Sequence, residues 1–148
     1  MKLIRRLKVY KFMEGWKGMV VKNPYAQYQQ DSIMTATPEE LTLMLYNGAI
    51  KFVKQGKLFI EQKDIQNAHN SIVRAQDIIS ELNITLNMDY EISKNLRSLY
   101  TFILDKLMEA NIKKDSKILD EILPIVEDLR DTWKEAMKLA KQNKKAIK

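Results

Sequence analysis

The 148-residue sequence contains no cysteine, a single histidine, three prolines and four glycines. Without cysteine there is no disulfide framework, no thiolate nucleophile and no thiolate metal site. With only His69, a histidine-based triad has one candidate member and no cysteine beside it. A di-iron bundle is excluded too, since it needs Glu-x-x-His on two helices. His69 lies between Ala68 and Asn70 in a helical stretch and reads as a surface or interhelical residue. There is no glycine-rich phosphate loop and no zinc spacing. No run approaches the ~18 consecutive apolar residues of a membrane span. Residues 1–12 open basic and apolar, but Arg5 and Arg6 break the run, which argues against a secretory signal. The expectation is a protein of the reducing cytosol that is not an enzyme, uses no cofactor or metal and has no stable membrane insertion.

The net charge of +6 is unevenly placed. Residues 1–22 carry seven basic residues and one acid, a net +6, and residues 138–148 carry five lysines and no acid. Residues 23–137 hold thirteen basic and eighteen acidic residues, a net −5. A mildly acidic body with basic ends argues against a nucleic-acid-binding face on the folded domain.

What remains is rich in helical pattern. Thr37-Pro38-Glu39-Glu40 is a capping box with proline at the first helical position, opening a helix that runs to about Glu61. A second helix is expected from Asp64 to about Leu86, with Ile65, Ala68, Ile72, Ala75, Ile79, Leu82 and Leu86 alternating three and four apart. A third, from near Tyr90 to near Asn111, carries Ile92, Leu96, Leu99, Ile103, Leu107 and Ala110. The fourth starts near Ser116 and carries Leu119, Ile122, Val126, Leu129, Trp133, Ala136 and Ala140. Pro124 falls inside it, where a lost hydrogen bond costs about 3 kcal/mol, and predicts a kink or a restart. Connections near 62–64, 87–90 and 112–115 are short enough to make neighbours antiparallel. The expected fold is all-α, an antiparallel up-down four-helix bundle over residues 37–143, preceded by a basic extension (1–22) and a short N-terminal capping segment (23–36), and followed by a basic tail (144–148).

Two features exceed what a bundle needs. Leu43, Tyr46, Ile50 and Val53 lie beside the main stripe of the first helix, and Ile78, Ile84, Tyr100, Phe102 and Leu104 add to the second and third. Such a surplus is either extra core or a surface groove for a partner helix or peptide. The eight methionines suggest a soft, adaptable binding surface only weakly, since Met44 and Met108 fit core positions better and Met137 lies beside the last seam. The second feature is Asn23-Pro-Tyr-Ala-Gln-Tyr-Gln-Gln30, an aromatic segment without hydrophobic periodicity placed just before the first helix.

That segment, together with Thr37-Pro-Glu-Glu-Leu-Thr-Leu-Met-Leu-Tyr-Asn-Gly-Ala-Ile50, Arg74-Ala-Gln-Asp-Ile-Ile-Ser-Glu-Leu82, Ile92-Ser-Lys-Asn-Leu-Arg-Ser-Leu-Tyr100 and Leu129-Arg-Asp-Thr-Trp-Lys-Glu-Ala136, resembles in order and spacing the flagellin-specific export chaperones of the FliS family. The likeness covers about residues 20–143. It implies a cytoplasmic helical bundle that binds the carboxy-terminal region of flagellin, prevents premature polymerisation and assists delivery to the flagellar export apparatus, without ATP or metal. An anti-sigma factor is a further partner of this reading. The resemblance places Tyr25 and Tyr28 in an amino-terminal cap. It points to a flagellin groove on the second and third helices built from Ile72, Ala75, Gln76, Ile79, Leu82, Leu86, Leu96, Leu99, Tyr100 and Ile103, several of which also belong to the core seam. The alternative is a generic helical adaptor or assembly factor with another helical partner.

The amino terminus departs from the family pattern by about twenty residues. One reading makes Met19 the start, since Met13-Glu14-Gly15 can be encoded by a purine-rich, ribosome-binding-like run upstream of the Met19 codon. The other is a basic amphipathic arm with Leu3, Ile4, Leu7 and Phe12 on its apolar side, touching membrane or acidic partners. Intact mass of the native protein separates the two.

Overall fold

A computed structural model describes the backbone of residues 33–147 and the side chains of residues 33–145. Among these residues there are four long helices and no strand: α1 (Pro38–Glu61), α2 (Ile65–Ile84), α3 (Ile92–Lys113) and α4 (Ser116–Ile147). Each packs on its sequence neighbours, and α4 closes the ring against α1. The result is an antiparallel up-down four-helix bundle. Tyr25, Tyr28 and the basic extension 1–22 lie outside the described residues.

Local chemistry sets the boundaries. The Glu40 amide donates to Thr37 Oγ1 at 3.1 Å and the Thr37 amide donates to Glu40 Oε2 at 3.3 Å, so the capping box closes in both directions. Asp64 caps α2, accepting from the Asn67 amide at 3.2 Å. Lys63 (φ 60°) and Lys114 (φ 51°) take left-handed backbone at the ends of α1 and α3, where the chain must reverse and no glycine is present.

Of the two outcomes expected at Pro124, the restart does not occur: α4 runs unbroken from Ser116 to Ile147 with Pro124 inside it. Pro124 is exposed, as is Asp120, whose carbonyl loses its helical donor, so water can satisfy that group on the outer side of the helix. The helix also continues past residue 143 into the stretch assigned from the sequence to a tail.

The core joins all four helices and includes Leu41, Leu45, Phe52, Ile72, Ile79, Ile103, Leu107, Leu119 and Ile122. Ile33 and Ala36, at the end of the expected capping segment, are buried in the same cluster. Most of the apolar surplus ends here: Tyr46, Ile50, Val53, Ile78 and Tyr100 are buried, Leu43 and Leu104 half-buried, and only Ile84 and Phe102 exposed. The hydroxyls of Tyr46 on α1 and Tyr100 on α3 bond to each other across the bundle at 2.5 Å. This satisfies two polar groups that would each be costly to bury alone. Burial pushes the Tyr46 phenol above its usual value, and the Tyr100 bond partly offsets that.

Candidate docking surface

Seven of the eleven large exposed hydrophobic side chains among the described residues fall between residues 84 and 112. Ile84 (71% exposed), Met88, Tyr90 (65%) and Ile92 (65%) crowd the passage from α2 to α3, with half-buried Leu86 and Leu96 beneath them. Farther along α3, Phe102 is exposed on one flank and Met108 with Ile112 (77%) on the other.

These side chains stay outside because polar bonds hold the connection from within. Ser93 is buried, and its Oγ donates to the Asn87 carbonyl at 2.6 Å. The Asp89 amide donates to Asn87 Oδ1 at 3.0 Å, and Thr85 Oγ1 donates to the Glu81 carbonyl at 2.9 Å. Arg97 reaches back from α3 to the side-chain and main-chain oxygens of Asn83, both at 3.3 Å. Further along the same pair of helices, His69 Nδ1 meets the Asn111 side-chain amide, the interhelical role expected of it.

The outer side of α3 is laced with charge. Lys106 lies 5.9 Å from the centre of the Phe102 ring and 3.6 Å from Glu109, and it bridges to Glu121 of α4 at 3.8 Å. Lys113 bonds Glu109 at 3.1 Å. That bond, reinforced by the Lys106 charge, lowers the Glu109 carboxyl below its usual range. Met108 and Ile112 therefore sit among fixed charges, a mixture suited to an amphipathic partner.

The ten residues read from the sequence as a groove do not form one open surface. Ile72, Ala75, Ile79, Leu82, Tyr100 and Ile103 are buried in the core, none more than 3% exposed. They face the bundle axis because they occupy the seam positions of α2 and α3, where neighbouring helices cover them. Gln76, Leu86, Leu96 and Leu99 are half-buried and reach the surface. Met88, Tyr90, Met108 and Ile112 lie outside that set, and Met108, which by sequence fits the core, is instead 55% exposed because it falls off the buried seam of α3. In sequence, Tyr90 and Ile92 read as the start of a helix, and Ile112 falls past its expected end. The signal for the connection is the alternation of apolar and polar residues from Ile84 to Ile92, which sets five apolar side chains where polar turn residues are the norm; Met108 and Ile112 carry no such signal.

Among the described residues no group of three or more histidines or acids is placed to hold a metal ion, and no helix is long and apolar enough to cross a membrane.

Residues 21–140 match the family described as flagellar protein FliS. The chain is 43% identical over 126 residues to the flagellar secretion chaperone FliS of Bacillus subtilis, covering 85% of this chain and 95% of the relative. The FliS chaperones of Vibrio cholerae and Salmonella typhimurium are 33% and 30% identical, covering 74% and 75% of this chain and 82% and 85% of theirs. The fold is shared with a solved bacterial flagellar chaperone (TM-score 0.65, 23% identity, 77% of this chain and 94% of that one). The chain belongs to the FliS family, a family of flagellar secretion chaperones and not of enzymes.

Proposed function

We propose that this protein is a cytoplasmic chaperone that holds the carboxy-terminal region of flagellin on the apolar surface of the α2–α3 hairpin and of α3, preventing premature polymerisation and assisting export. The observation that carries this reading is the concentration of exposed apolar side chains between Ile84 and Ile112 on an otherwise well-covered bundle. A client segment that is unstructured before assembly can order its own apolar face against that surface. In this reading Gln76, Leu86, Leu96 and Leu99 form the rim of the contact, and the six buried residues are the floor that holds the rim in place. Tyr25 and Tyr28 cap part of the surface in the free protein and yield to the client. A short tether gives such a cap an effective concentration on the order of millimolar, so weak contacts suffice. Delivery to the export apparatus, and any contact with an anti-sigma factor, belong to the same reading as later steps.

Capture of a flagellin carboxy-terminal peptide by the purified protein tests the client. Binding should fall at least about tenfold in Tyr90→Ala/Ile92→Ala, because buried aromatic and aliphatic anchors carry most of an interface's energy. These side chains are exposed in the free protein, so thermal unfolding should barely move. Wild-type affinity in that variant discards the surface, and no capture by the wild type discards the client in favour of an adaptor for another helical partner. Deleting residues 19–30 should raise affinity or on-rate, and unchanged binding discards the cap.

A further inference from the structure

Three of the four helices span 20 to 24 residues, whereas α4 spans 32. The Trp133 indole donates to the Glu39 carbonyl at 3.0 Å, which places residue 133 level with the first turn of α1. From there α4 runs on past the bundle, and every residue from Lys138 to Lys145 is exposed. At ~1.5 Å per residue the projection is roughly 13 Å.

The projection has a single sign of charge. Lys138, Lys141 and Lys145 recur at i, i+3 and i+7, which lines them along one side of the helix with Lys144 beside them, and Lys134 continues the line at its base, where Asp131 and Glu135 adjoin it. None of these five forms an ion pair with another described residue, unlike Lys57, Lys106 and Lys113 on the body. Met137 and Leu139, the latter 50% exposed, supply apolar side chains at the same level. The basic stretch of α4 thus projects from one pole of a body (residues 23–137) whose sequence carries net −5.

We propose that this pole is a peripheral contact for an anionic lipid surface. Lysine ammonium groups on a helix with apolar neighbours lie in a negatively charged headgroup layer as point charges and need no fixed geometry. Nucleic acid fits less well. No arginine follows Arg130, so the bidentate phosphate recognition that arginine provides is absent from the projection, and a polyanion lying along the acidic body would be repelled. The separation of charge orients the molecule end-on, with the lysines at the surface and the α1–α2–α3 body held off it. This inference does not depend on the identity of the client.

Co-sedimentation of the full chain with vesicles of one part phosphatidylglycerol to two of phosphatidylcholine tests it. Binding is expected to the mixed vesicles, not to phosphatidylcholine alone, and to weaken as salt rises. Each lysine near an anionic bilayer is worth about a fivefold change in partitioning, so K138Q/K141Q/K145Q should lose at least about tenfold. Glutamine has lysine's helix propensity, and far-UV ellipticity checks that α4 persists. The charge-retaining K138R/K141R/K145R should bind as wild type, as should K63Q/K117Q at the opposite end. Equal binding to neutral vesicles, no binding at low salt, or an unaffected triple glutamine variant overturns the proposal. Duplex DNA stripping the protein from vesicles at equal phosphate overturns it in favour of nucleic acid.

Discussion

Replacing Ile72 or Ile103 by alanine should destabilise the bundle by about 2–5 kcal/mol, the range for deleting a fully buried branched aliphatic side chain. Both are wholly buried, although the family resemblance points to both as lining a partner groove. Their predicted phenotype is therefore a lowered unfolding midpoint, with loss of partner binding only as a consequence. Phe102→Ala on the outer side of α3 should shift stability by about 0.5 kcal/mol or less, since that ring is already exposed. Urea unfolding of the three variants separates core from surface. If Ile72→Ala and Phe102→Ala unfold at the same midpoint, the division between buried seam and exposed hairpin is wrong.

The second large effect is expected at Gly56. It is buried in α1 between two neighbours: a Cβ built there would lie 3.0 Å from Ile72 Cγ1 of α2 and 3.6 Å from Leu119 Cδ1 of α4. A glycine in a helix interior ordinarily costs about 1 kcal/mol relative to alanine, so Gly56→Ala gains in propensity what it loses to the close contact and should change little. Gly56→Leu adds a branched side chain where two helices already meet α1, and overpacking of this kind costs about 1–3 kcal/mol or more. The expected order of thermal midpoints is wild type close to Gly56→Ala, with Gly56→Leu well below both. A leucine variant as stable as wild type would mean that α2 and α4 can move away from α1 without loss.

Much of this architecture is legible in the residues. The capping box at Thr37 and the seam Ala68, Ile72, Ala75, Ile79 and Leu82 place helices α1 and α2 to within a residue or two, because both signals come from local geometry. Exposure is less legible. Ile65, Ile92, Ala136 and Ala140 keep the seam spacing and are nevertheless exposed, because the helices differ in length and a seam is covered only where a neighbour extends. The same reasoning explains the groove. Periodicity identifies Tyr100 and Ile103 as apolar and inward, but which apolar positions a third or fourth helix covers is a tertiary matter that single-helix patterns do not contain. Pro124 is the opposite case, since its cost is local but its exposed position lets solvent absorb it.

The polar bonds that hold residues 83–97 have an entropic consequence. Tyr90 and Ile92 project from a backbone whose connection is already fixed by Asn87, Ser93 and Arg97, so a segment docking there orders little of the protein beyond a few rotamers. Nearly all the ordering cost falls on the incoming chain. Affinity is then set by how readily that chain folds, and release needs no change of shape in the bundle: a competing structure that the segment prefers is sufficient to draw it away.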